Sequence, residues 1–130
     1  MKKQLVSTGA PWEPIVGYSR AVRVGPFVYV SGTTAIDKQG KVCGINDPYV
    51  QTMHILQIIK NALEQAGARM EDVVRTRIFV RNIDDWEKIG KAHGEFFKAI
   101  LPATTMVEIK RLVLEDILVE IEADAYIQNG

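Results

Sequence analysis

Apolar and polar positions along this chain repeat at two periods, and the places where the period changes outline its elements. In YSRAVRVGPFVYVSG, two short apolar runs, about 18–24 and 27–31, flank Gly25-Pro26. Two such runs across a tight Gly-Pro turn predict a hairpin. TTAIDKQGKVCGIND follows, rich in turn residues, with a short extra strand expected near 41–43. At Asp47-Pro48 the period lengthens. Aspartate caps the free N–H groups of a helix start, and proline at the first helical position already has its φ set. Thr52, Ile55, Leu56, Ile59, Ala62, Leu63 and Ala66 then recur at three- and four-residue spacing, which makes one broad apolar face. Gly67 stops this helix.

The short period returns in DVVRTRIFVR. Val74, Thr76, Ile78 and Val80 point one way, and Arg75, Arg77 and Arg81 the other, with Phe79 among them. That is a strand with one face buried. Asp84 with Glu87 three residues later resembles a capping box with aspartate as the cap. Trp86, Ile89, His93, Phe96 and Ile100 form the second helical stripe. Two strands close the chain. In TMVEIKR, Val107 and Ile109 share a face opposite Glu108 and Lys110. In LVEIEADAYI, Val119, Ile121, Ala123, Ala125 and Ile127 alternate with Glu120, Glu122, Asp124 and Tyr126.

The order is β-β-(β)-α-β-α-β-β. Two amphipathic helices cover one face of a four- to six-stranded sheet, so the expected fold is two-layer α+β with mixed strand directions. The other sheet face carries three arginines, Lys110, four carboxylates, and Phe79, Met106 and Tyr126. It fits two descriptions. One is a solvated outer face with cross-strand pairs of about 0.2–1 kcal/mol each. The other is a subunit interface in which the charges pair.

Length and composition narrow the classes. At 130 residues one domain, 1–130, is expected. Sixteen basic residues balance sixteen acidic ones, so no general field draws nucleic acid or anionic lipid. MKKQLVSTGAPWEP breaks with Gly and Pro before any apolar core forms, and no apolar run approaches the ~20 residues that span a membrane. A soluble cytoplasmic protein without membrane contact is the expectation. One cysteine, Cys43, leaves no intramolecular disulfide and reads as a small filler. Two histidines and that cysteine, all separated, give zinc too few ligands. With no phosphate loop either, no cofactor is expected.

Five stretches in order carry a resemblance. YSRAV…VYVSGTTA resembles the N-terminal motif of the Rid/YjgF family. PATTMVEIKRL followed by VEIEADA resembles that family's two-part C-terminal signature. ALEQAG…DVVRTRIFV and DWEKIGKAHGEFF match its central helix-strand-helix, so the likeness spans residues 15 to 127. It implies a chorismate-mutase-like fold and a homotrimer with sheets facing a central barrel and helices outside. It also implies small-molecule clefts between subunits. In the RidA branch, that cleft hydrolyses enamines and imines derived from amino acids to keto acids and ammonia.

Carried over residue by residue, Tyr18 matches the cleft tyrosine, Ser31 and Gly32 the Ser-Gly strand end, and Glu120 the carboxylate thought to hold the hydrolytic water. The RidA arginine that grips the substrate carboxylate falls at Thr104. The family's asparagine falls at Gly90, and a common aromatic at His93. A hydroxyl cannot grip a carboxylate bidentately. The deficit is about 1–2 kcal/mol, or roughly 5- to 30-fold in affinity. Thr104 and Thr105 therefore suit a carbonyl or amide, with backbone N–H groups near Met106 to help hold an oxyanion. Each residue has a plainer role open to it. The threonines are good strand formers, Glu120 can pair with an arginine, Tyr18 and Ser31 can pack an interface, and His93 can be a satisfied core histidine. The function expected is an imine or enamine deaminase of the hydrolase type, with ordinary 2-imino-acid activity in doubt. The alternatives are a non-catalytic trimer that binds a metabolite or protects proteins and, behind both, an endoribonuclease or translation inhibitor.

Overall fold

The alternating segments join into one sheet in the computed structural model, which describes residues 2–128. The elements are β1 (Lys3–Val6), α1 (Trp12–Val16), β2 (Ala21–Val24), β3 (Phe27–Thr33), α2 (Pro48–Gln65), β4 (Val73–Val80), α3 (Trp86–Phe97), β5 (Ala103–Glu108) and β6 (Val119–Tyr126). Strand order is β1-β2-β3-β6-β4-β5. All neighbours are antiparallel except β4 and β5. That pair is parallel because α3 carries the chain back to the starting end of β4, as a crossover must. The predicted α+β fold, a mixed sheet with two main helices on one face, is the observed one.

The hairpin closes through Gly25-Pro26, with Val24 opposite Phe27 and Gly25 at φ 58. α2 starts and stops where the sequence places its signals. Asp47 Oδ1 accepts the Val50 N–H at 3.0 Å, and Gly67 follows the helix at φ 87, a conformation that favours glycine. All seven predicted apolar-face residues of α2 are buried. They meet Val28, Val30, Ile78, Val80, Ile121 and Ala123 of the sheet, which are likewise buried. Each large aliphatic side chain so buried contributes about 1.5–3 kcal/mol.

Several expectations are corrected. β1 and α1 were not foreseen, and near 41–43 there is only an isolated bridge, Ile36 to Val42. Val74 is exposed and Val73 buried in its place. The register slips between Val73 and Arg75, and a bulge of this kind inverts the facing of the residues before it. β5 is out of phase with its predicted faces. Thr76 pairs with Thr104, Ile78 with Met106 and Val80 with Glu108. Met106 therefore packs against the core, Val107 lies on the open face, and Glu108 sits on the helix side. Glu108 is tolerated there because it is at the sheet edge and accepts the Ile83 N–H at 3.0 Å. The capping box at Asp84 does not form. Asn82 Oδ1 accepts the Asp84 N–H at 3.0 Å, and a short 3₁₀ turn, Ile83–Asp85, leads into α3. Trp86 is 56% exposed, and α3 buries Ile89, Ala92 and Phe97.

Candidate functional site

The sequence-predicted residues fall into two groups within one chain. The first gathers where β2, β3 and β6 meet. Between Val30 and Thr33 the β3–β6 register shifts, so Ser31 and Gly32 occupy a bulge, where backbones can approach closely. Ser31 Oγ donates to the Ser19 carbonyl at 2.7 Å, and its N–H to the Arg20 carbonyl at 2.9 Å. The Glu120 carboxylate lies directly over Gly32, in the space a Cβ would take. Tyr18, Ser31, Gly32 and Glu120 are thus neighbours around the Arg20 backbone and side chain.

Arg20 is the residue that sequence reasoning missed. It is 4% exposed. Nη1 donates to the Gly32 carbonyl (2.7 Å) and Thr33 Oγ1 (3.1 Å), and Nη2 to the Tyr18 hydroxyl (3.2 Å). Nη2 also lies 3.8 Å from Glu13 Oε2. The carboxylate of Glu13 accepts hydrogen bonds from Ser7 and Thr8 hydroxyls and from the Thr8 and Ala10 N–H groups. Burial alone would raise the Glu13 pKa, but those bonds together bring it below its ordinary value, so the pair is ionised. The available signal was an arginine inside the strand-forming run YSRAV, a short way after the glutamate of PWEP.

The same arginine sets the electrostatics of Glu120. Burial pushes the Glu120 carboxyl above its ordinary value, the Arg20 charge draws it part of the way back, and Glu122 adds to the rise. A carboxylate raised in this way is a stronger base than one in water. Tyr18 accepts from Arg20, so its own hydroxyl proton is free to be donated elsewhere. Two grooves flank the Arg20–Glu13 pair. One of about 560 Å³ is lined by Arg20, Thr33, His54 and Ile58, and a shallower one of about 740 Å³ by Glu13, Tyr18 and Ser19.

The second group lies at the β5 edge. Thr104 and Thr105 point to opposite faces. Thr105 shares a row with Arg77 and Glu122 on the open face, where Arg77 Nη1 pairs with Glu122 at 3.1 Å and Asp124 at 3.2 Å. Thr104 turns to the helix side, and its Oγ1 is 2.8 Å from Thr76 Oγ1, which is 2.9 Å from His93 Nε2. The His93 ring packs at a tilt against Phe97, with centroids 4.5 Å apart, and burial lowers its pKa. Met106 follows on the same face, packed against the core. One chain therefore brings Tyr18, Ser31, Gly32 and Glu120 together, and sets Thr104, Met106 and His93 apart from them, beyond β4 and on the helix side. Cys43 has its thiol pKa raised, by burial and then by Asp37, which disfavours the nucleophilic thiolate. No described helix is long and apolar enough to cross a membrane.

This architecture defines a class, the YjgF-fold proteins. A family member from Mycobacterium tuberculosis, described as YjgF/YER057c/UK114, superposes with a TM-score of 0.88 at 47% identity, covering 97% of this chain and 100% of that one. Residues 8–127 match the Endoribonuclease L-PSP family, and the chain belongs to that family. It is 36% identical to a RutC family protein of Pyrococcus abyssi over 126 residues, 97% of this chain and 98% of the relative. It is 32% identical to the 3-aminoacrylate deaminase RutC of Acinetobacter baylyi over 127 residues, 98% and 100% of the two chains. The likeness to Rid/YjgF motifs read from the sequence is the family found.

Proposed function

We propose that this protein hydrolyses the C=N bond of a small imine or enamine metabolite, releasing ammonia, in a cleft completed by a second copy of the chain within a homotrimer. The observation that carries this reading is the partly buried Glu120 carboxylate, poised over Gly32 beside the Arg20–Tyr18 pair. Glu120 takes a proton from the attacking water and returns it to the nitrogen, which leaves as ammonia when the carbinolamine collapses to the carbonyl. Tyr18 donates a hydrogen bond to the leaving nitrogen or to the carbinolamine oxygen. The deaminase among the relatives supports the reaction class. The separation of Glu120 from Thr104 within one chain supports the second copy, because neither group alone encloses a ligand. The open face, where Phe27, Tyr29 and Tyr126 are about half exposed, is the surface that would join the copies. The test is ammonia release over a panel of imines and enamines generated in situ, with Glu120→Gln as control. Release by wild type and none by the variant supports the reading, and equal release by both rejects it.

A second reading, a trimer that binds a metabolite or protects other proteins without turnover, is favoured by Thr104 in the position of the RidA arginine. Tight binding without ammonia release distinguishes it. Ribonuclease activity, which the family name carries, ranks third in our reading. Arg77 on the open face is paired with Glu122 and Asp124, which repel phosphate.

A further inference from the structure

The chain of bonds from Thr104 inward has a property that one threonine would lack. Each hydroxyl gives one proton and accepts another, so the direction of the whole chain follows His93. With Nε2 bare, Thr104 donates to Thr76 and Thr76 to His93, and the Thr104 oxygen faces outward as an acceptor. With Nε2 protonated, the bonds reverse, and Thr104 has its own proton for an outside acceptor or for the Pro102 carbonyl, 3.3 Å away. Thr104 is exposed, Thr76 fully buried and His93 between them in burial. Gly90, one turn before His93, has open space where a side chain would stand.

We infer that Thr104, Thr76 and His93 form a proton-adaptable subsite, which takes an uncharged carbonyl or amide as it stands and binds a carboxylate more tightly when His93 carries a proton. The inference rests on the reading that position 104 borders the ligand cleft. A neutral ligand needs only a change of tautomer. An anion gains from a positive charge, and the imidazolium supplies it through the two hydroxyls. Among the described residues, no salt bridge joins another charge to His93, whose side-chain hydrogen bond is to Thr76. On α3, Lys91 lies over the Tyr49 ring, and Glu95 accepts the hydroxyl of Tyr49 from α2. On β4, Arg75 and Arg77 occupy the opposite face, and on β5 Glu108 is taken by the Ile83 N–H. Burial is the sole cause of the lowered His93 pKa.

The test is calorimetric titration with 2-ketobutyrate and 2-ketobutyramide between pH 5.5 and 8, in a Glu120→Gln background that removes the titration of that carboxyl. The keto acid is ionised throughout this range. Its affinity should rise about tenfold from pH 8 to 5.5, and the amide's should stay within about twofold. By reciprocity, saturating keto acid should raise the His93 pKa seen by NMR by about one unit. Thr76→Val and His93→Gln should each flatten the keto-acid profile, and Thr76→Ser should retain it. A wild-type-like slope in either of the first two, or a flat profile with Thr76 and His93 intact, overturns the inference and leaves the cleft reading standing. Failure of both ligands to bind at any pH overturns the two together.

Discussion

A Cβ on Gly32 would overlap the Glu120 carboxylate, with Cδ at 3.0 Å and Oε2 well inside contact distance. The glycine is the floor on which the carboxylate rests. Its φ is outside the left-handed region, so the close approach, and not the backbone conformation, requires it. Gly32→Ala should therefore fold, at a cost of about 1–2 kcal/mol, because the far end of Glu120 can swing away. Its kcat should fall by about a hundredfold, since a displaced base is out of reach of its water. Kinetics beside thermal melts check this, and unaltered kcat would mean that Glu120 does not act from this position.

Glu120 also ties stability to pH. Its carboxyl ionises above the ordinary value of 4.5 when folded, so between the two values the native state holds more protons than the unfolded one. Stability from this group is complete below pH 4.5 and declines as pH rises through the folded pKa. Glu120→Gln should melt above wild type at pH 7, and the difference should shrink toward pH 4. His93 titrates in both proteins and cancels in the comparison. A variant less stable than wild type at pH 7 would contradict the desolvation account.

Arg20 and Glu13, 4% and 5% exposed, form the most buried ion pair in the described structure. Arg20→Met should destabilise by about 3–5 kcal/mol, because it strands a charged carboxylate and removes donors from the Gly32 carbonyl and Tyr18 hydroxyl. Arg20→Met/Glu13→Gln should recover part of that loss. Urea denaturation of the three proteins measures it, and an additive double variant would show that the two residues act independently.

The periodic parts of the fold were legible because burial acts on periodicity directly. The α2 stripe and the alternation of β6 needed no knowledge of partners. What failed depends on register or on a distant contact. Val74 and Val107 are apolar residues in alternating runs, but a bulge in one case and the pairing of β5 with β4 in the other decide which face they take. The motifs identified Tyr18, Ser31, Gly32 and Glu120, which the fold brings together. They could not show that Thr104 and Thr105 diverge, since adjacent strand residues diverge only once the strand is in place. Arg20 was less legible because its partners lie both before and after it in sequence, so an arginine inside a strand-forming run does not by itself show that it pairs with Glu13.

The open face should hold the trimer. Phe27 packs edge-on to Tyr126 at 5.2 Å and stacks on Tyr29 at 6.4 Å, yet all three rings remain about half exposed. Covering the rest of each contributes about 2 kcal/mol, in a surface where about 800 Å² per partner makes a stable contact. Light scattering at micromolar concentration should give three times 14.5 kDa. Phe27→Asp/Tyr126→Asp should lower this to the monomer mass without loss of far-ultraviolet circular dichroism, because neither ring belongs to the helix-side core. Ammonia release should disappear with the trimer, since Glu120 and Thr104 then have no second copy to complete the cleft. A folded monomer that retains full activity would show that one chain holds the whole site, and the division into two groups would lose its functional meaning.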